Sequence, residues 1–256
     1  RIRLAGFHAL HHRHGRFLPG LQRYRGLQAQ MQLAQMYQRR GLEMLAAAAT
    51  NSLPEEIERE EKKGTAQIIY AVKNFRQFNK EAADAIKDPT TNAEDKSKYM
   101  MLREAALFLV GECWSRMNRP EQNLKMYRAR AAESYETYLS EFPKGQWAKA
   151  GYVKLGTIYT ALGEMEKSKS ALDRLSRFYP DSDEAKNSKP RLAKNLIEMG
   201  LKKEGAELYG EMLRTEGKYT ATHYLNAGEA LIEAKSWDYA NQAFEKAVRL
   251  ANSNQT

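Results

Sequence analysis

The stretch from Gln146 to Pro180, QWAKAGYVKLGTIYTALGEMEKSKSALDRLSRFYP, constrains this chain more than any other. Tyr152, Leu155, Gly156 and Tyr159 share one face at helical spacing, and Ser168, Leu172 and Leu175 share one face of a second segment. Leu162-Gly163-Glu164 lies between them, and Pro180 stops the second. The predicted unit is two helices joined by a short turn. Gly156 has no side chain, so it admits the bulk of Leu172 or a neighbour from the facing helix. A hairpin of this kind buries its apolar face only by stacking on another.

The same order recurs. Before this unit, Leu107, Val110, Gly111 and Trp114 take the places of Tyr152, Leu155, Gly156 and Tyr159, with Ala131, Tyr135, Tyr138 and Pro143 on the second helix. These two sets are eight residues too far apart, an excess expected to sit in a second helix longer by two turns. A third unit offers Leu192, Ala193, Leu196, Gly205, Tyr209 and Met212. Pro190 suits an N-terminal turn better than a helix interior, so the first helix of that unit is expected to start late. A fourth offers Tyr224, Ala227, Gly228, Leu231, Ala240, Phe244 and Ala247.

This succession resembles the tetratricopeptide repeat, a helix-turn-helix unit of about 34 residues. The resemblance implies an all-α fold: an α-solenoid of such repeats over residues 98–256, preceded by extra N-terminal helices over 27–97 and a basic leader over 1–26. The repeats divide at about 98–145, 146–182, 183–218 and 219–252. A generic helical bundle is the competing architecture. The linkers Glu141-Phe142-Pro143-Lys144-Gly145 and Phe178-Tyr179-Pro180-Asp181-Ser182, each followed by an alanine at 148 or 185, narrow the likeness. They are similar to those of tetratricopeptide proteins of the bacterial envelope, such as the lipoprotein of the outer-membrane β-barrel assembly machinery and the Tol-Pal coordinator. That likeness implies a periplasmic or cell-envelope location rather than a cytoplasmic one.

Upstream, Leu27, Met31, Ala34 and the alanine run 46–49 predict a helix. Thr50-Asn51-Ser52 breaks it, and Pro54 suits the first turn of the next. Glu55, Glu56, Glu58, Glu60 and Glu61 crowd that start, where the helix dipole favours negative charge and water solvates the face. Ile68, Val72, Phe75, Ala82 and Ile86 continue as an apolar stripe until Asp88-Pro89.

Charge separates the ends of the chain. The net charge is +9, yet residues 1–50 hold eight arginines, no lysine and one acid, Glu43. Three readings compete for residues 1–26: a disordered or foreign leader, a basic arm for nucleic acid, anionic lipid or an acidic protein, and a targeting peptide. The third lacks serine and a continuous apolar core. The chain does not begin with Met, which reads as a processed or truncated product. His8 and His12 stand four apart, but a flank of Arg and Gly offers no supporting shell for a metal, so no metal site is assigned.

The longest apolar run, Ala105 to Val110, is far short of the roughly 18 residues a membrane helix needs. Cys113 is the only cysteine and sits in an apolar run, which reads as packing. No glycine-rich phosphate loop, H-E-x-x-H or nucleophile elbow is present, Glu229 and Glu233 read as a solvated pair, and neither catalysis nor a cofactor is expected.

In a solenoid the first helix of each pair lines the concave side. Counting from the glycines, the inward set is Phe108, Glu112, Val153, Thr157, Thr160, Lys194, Ile197, Leu225, Glu229 and Ile232. A mixed apolar and charged groove of this kind suits a partner protein or peptide. Phe108, Val153 and Leu225 stand where chaperone-binding members of the family place a carboxylate-clamp lysine, which speaks against that function. Packing between repeats is the bland alternative for these three. The expected function is a non-catalytic scaffold. Nucleic-acid or anionic-surface binding through residues 1–50, and a regulatory subunit of an enzyme, are the alternatives.

Overall fold

The computed structural model describes residues 19–253 apart from 216 and 218. Among the described residues the chain forms ten α-helices and no strand: α1 (Pro19–Thr50), α2 (Pro54–Lys87), α3 (Ala93–Ser115), α4 (Leu124–Glu141), α5 (Ala148–Leu162), α6 (Met165–Phe178), α7 (Asp183–Glu198), α8 (Lys202–Arg214), α9 (Ala221–Glu233) and α10 (Trp237–Ser253). Consecutive helices pair into five antiparallel hairpins, and each hairpin packs on the next. First helices meet first helices, α1 on α3, α5 on α7 and α7 on α9. Second helices α8 and α10 also touch. The core is accordingly a succession of apolar clusters between layers rather than one centre.

The repeat is visible in the backbone. At the ends of α5, α7 and α9 the N–H groups of Glu164, Leu201 and Ser236 donate to Tyr159, Leu196 and Leu231 at 2.8, 2.9 and 2.9 Å. Each is the long bond of a helix stop that needs one left-handed residue. Gly163 and Gly200 supply it with φ of 75° and 83°, and Lys235 supplies it with 57°. Within the hairpins, Gly111 lies under Tyr135, Gly156 under Leu172 and Gly228 under Phe244. Bulk on the second helix therefore fills space left by glycine on the first, as the spacing predicts. In the α7–α8 hairpin the roles reverse, and Gly205 on α8 lies under Ile197.

Three sequence expectations are corrected. The eight-residue excess of the α3–α4 hairpin lies mostly in its connection, Arg116–Asn123, which contains a short 3-10 turn. Only about one extra turn is added at the start of α4. Pro190 sits in the interior of α7, whose first turn is fixed earlier by Ser182 accepting from Ala185 N at 3.1 Å. Burial of Leu192, Ala193, Leu196 and Ile197 outweighs the roughly 3 kcal/mol that an interior proline costs. The leader boundary expected at Gly26 falls within α1, where Tyr24 packs on Tyr99 with ring centroids 6.1 Å apart.

The α1–α2 hairpin is built like the others but longer, at 32 and 34 residues. Asn51 Oδ1 accepts from Leu53 N at 3.1 Å in the turn, and Pro54 opens α2. Gly41 and Gly64 bring the two backbones together where the helices cross.

Candidate functional site

The first helices of the hairpins carry the ten residues assigned to the inward face, and the structure divides them. Phe108 is buried, contradicting its place in a groove. Its ring stacks on Trp147 at 5.8 Å and also meets Tyr135 and Tyr138. Ile197 is buried too and fills the space above Gly205. Val153 is half-buried against the central cluster.

Two others are joints between hairpins. Glu112 on α3 accepts the Tyr135 hydroxyl at 2.5 Å and pairs with Lys154 Nζ on α5 at 2.9 Å. Thr160 on α5 accepts from Asn195 Nδ2 on α7 at 2.8 Å and shares a 3.0 Å hydrogen bond with Ser168. Ser168 in turn donates to Gly156 O at 2.9 Å. Asn195 and Ser168 are buried polar groups, and this network satisfies them where α5, α6 and α7 meet.

The remaining five face solvent. Thr157 accepts a hydrogen bond from Arg191, which ties α5 to α7 across the surface. Lys194 lies one turn on and pairs with Glu198 at 3.8 Å. Leu225, Glu229 and Ile232 stand at i, i+4 and i+7 on α9, so they share one face. Leu225 is 46% and Ile232 43% exposed. Arg191 belongs to this surface and was missed by counting from glycines. Its signal was the helical spacing of Arg191, Lys194 and Glu198 along α7.

A second open surface has no counterpart in the sequence reading. It is a groove of about 1050 Å³ between α2 and α4, with Trp114 of α3 among its lining.

Burial pushes the Cys113 thiol well above its usual range, with the Glu112 charge adding to it, so it stays protonated. Among the described residues no group of three His, Cys, Asp or Glu is placed to hold a metal. His8 and His12 lie outside the described residues, as does most of the Arg-rich leader. Arg23 pairs with Asp88 at 3.3 Å, while Arg25, Arg39 and Arg40 are exposed. No described helix is long and apolar enough to cross a membrane.

Buried tyrosines make the array sensitive to alkali. Burial raises the phenol pKa of Tyr135, Tyr138, Tyr159 and Tyr209, and Glu112, Glu104, Glu136 and Glu198 respectively raise it further. Unfolded tyrosine loses its proton near pH 10, so above that pH the unfolded chain binds fewer protons than the folded one. Stability is therefore unaffected by these groups below about pH 10 and falls as pH rises beyond it. Tyrosinate absorbance from these four should appear in one step with loss of helical circular dichroism. Gradual ionisation with the helices intact would contradict their burial.

Residues 150–182 match the family model described as tetratricopeptide repeat. No curated protein matches the chain. Among solved structures, "Crystal structure of MamA" aligns with a TM-score of 0.48 and 16% identity over 77% of this chain and 95% of that one. "Crystal structure of BtubC (BKLC) from P. vanneervenii" aligns with a TM-score of 0.49 and 14% identity over 89% and 92%. The described residues form an all-α array of helical hairpins. Its α5–α6 hairpin is the stretch that matches the tetratricopeptide-repeat model, within the unit Gln146 to Pro180.

Proposed function

We propose that this chain is a non-catalytic scaffold that holds a partner protein on the solvent-exposed face shared by the first helices α5, α7 and α9. The observation that carries this reading is the pair Leu225 and Ile232, two large apolar side chains exposed on one face of α9. Their helix packs on α7, which carries Arg191 and Lys194, and Arg191 is in turn bound to Thr157 of α5. Apolar anchors and charges on helices held in place by apolar packing bind a partner with little ordering cost. The likeness of the two aromatic-proline linkers to those of envelope proteins supports a partner in a bacterial envelope.

A photoreactive amino acid at position 225, introduced in the native cell, should give an adduct with one defined protein. The same group at Val248, exposed on α10, should not. Ile232→Asp should abolish the adduct without changing thermal melting, because the side chain already meets water. Absence of an adduct at 225, or equal labelling from 248, overturns the reading.

A further inference from the structure

The groove between α2 and α4 differs from the α5–α7–α9 face in position and in charge. Where α8 and α10 touch directly, α2 and α4 stand apart with about 1050 Å³ of open space between them. Its floor is aromatic: Trp114 of α3 stacks on Tyr127 of α4, with ring centroids 6.3 Å apart. Its walls are Ile69 and Tyr70 of α2 and Met126 of α4, which are 48%, 43% and 47% exposed. Large apolar side chains this open, side by side over an aromatic floor, form a patch rather than isolated exposures.

Charge selects the occupant. Lys73, Arg76 and Arg130 line the groove, and no carboxylate does. Arg130 has one acidic neighbour, Glu133 at 3.5 Å, in an exposed pair that competes weakly. The α2 wall runs from Thr65 to Gln77, about 18 Å at the rise of a helix. That length suits about three turns of helix lying between two others. Residues 1–18 of this chain carry four arginines and no acid, the same sign as the rim, so charge disfavours them as the occupant.

We propose that this groove binds an acidic amphipathic helix of a partner protein, whose apolar face covers Ile69, Tyr70 and Met126 and whose carboxylates meet Lys73, Arg76 and Arg130. The proposal rests on the scaffold reading and adds a second docking surface with a defined ligand class. Apolar contact supplies the affinity and the basic rim the orientation and partner choice.

The test uses a phage-displayed library of random 16-residue peptides selected on the full chain. Enriched peptides are synthesised and titrated by fluorescence anisotropy. Net-negative sequences with apolar residues three and four apart should emerge. Ile69→Asp and Met126→Asp should each weaken their binding at least tenfold, as should the double variant Lys73→Glu/Arg76→Glu. These positions are at the surface, so circular dichroism should show unchanged melting. The double variant should also favour peptides with the acids replaced by lysine. Enrichment of basic or uncharged peptides overturns the proposal, as does binding insensitive to these substitutions. Two further outcomes do the same: a dimer abolished by Ile69→Asp, which makes a second copy the occupant, and displacement of the peptides by a single-stranded oligonucleotide at equal affinity. Leu225→Asp should leave peptide binding unchanged. Loss of the position-225 adduct alone removes the α9 face, and loss of peptide binding alone removes the groove.

Discussion

Gly41→Val should unfold the N-terminal hairpin before any other part of the array. A Cβ at position 41 would lie 2.6 Å from Ile68 Cγ1, 2.8 Å from the Gly64 carbonyl oxygen and 3.0 Å from Ile68 N. Two of these three atoms are backbone, which no rotamer change can move aside. The contact is reciprocal, since a Cβ at Gly64 would lie 2.9 Å from the Gly41 carbonyl oxygen. Replacing a helical glycine gains up to about 1 kcal/mol of helix propensity. Prising two packed helices apart costs more, about 3 kcal/mol for valine at this site. Gly26 in the same helix is the internal control, because a Cβ there meets nothing within 4 Å. Gly26→Ala should therefore gain up to about 1 kcal/mol while Gly41→Val loses about 2 kcal/mol net. Urea denaturation gives both values, and hydrogen exchange localises the loss. Amides of α1 and α2 should open in Gly41→Val while those of α5 to α10 keep their protection, because layers of a repeat array are coupled only to neighbours. Equal urea midpoints for the two variants would mean that α1 and α2 do not cross at these glycines.

The α5–α6 hairpin was legible because everything that makes it is local. Its apolar residues recur at helical spacing, its turn has a glycine where φ is positive, and Gly156 and Leu172 lie only 16 positions apart. The break between α1 and α2 was legible for the same reason, through Asn51 and Pro54. What failed depended on distant chain. Phe108 falls on the face counted as inward, but Trp147, from the connection before α5, folds back and covers it. No count along α3 contains that contact. Ile197 was misplaced because the glycine of its hairpin sits on the second helix, at Gly205, whereas the count assumed the first. Pro190 shows burial overriding propensity. The α2–α4 groove has no motif, since it is set by how far apart two non-consecutive helices stand. The face proposed to hold a partner was half legible: Leu225, Glu229 and Ile232 follow from spacing on one helix, whereas the Arg191 to Thr157 link needs two.

The same division sets the largest effect expected in the central repeats, that of Leu155→Asp. Leu155 is 4% exposed, within the cluster that joins α3 through α7. The substitution removes the packing of a core leucine, about 2–5 kcal/mol for truncation alone. It also places a carboxyl group in a cluster of Tyr, Leu, Ile, Ala and Phe side chains, with Trp and Val packed against it. The carboxyl avoids charge burial by holding its proton, so its folded-state pKa rises above the unfolded value near 3.9. The unfolded chain then binds fewer protons than the folded one at neutral pH, and the destabilisation grows as pH rises from 4 towards the raised pKa. Leu155→Asp should thus be closer to the unsubstituted protein at pH 4 than at pH 8, with a deficit of at least about 5 kcal/mol at the higher pH. Leu225→Asp is the matched surface change, the same two residue types at a site 46% exposed. It should leave the melting temperature unchanged at both pH values while removing the anchor proposed for the partner. If both variants melt together, Leu155 is not in the core and the repeat register built on Gly156 is wrong. If Leu155→Asp unfolds and Leu225→Asp does not, the same helical spacing has been shown to mark packing on α5 and an open face on α9, and the difference between them is what stacks on each helix.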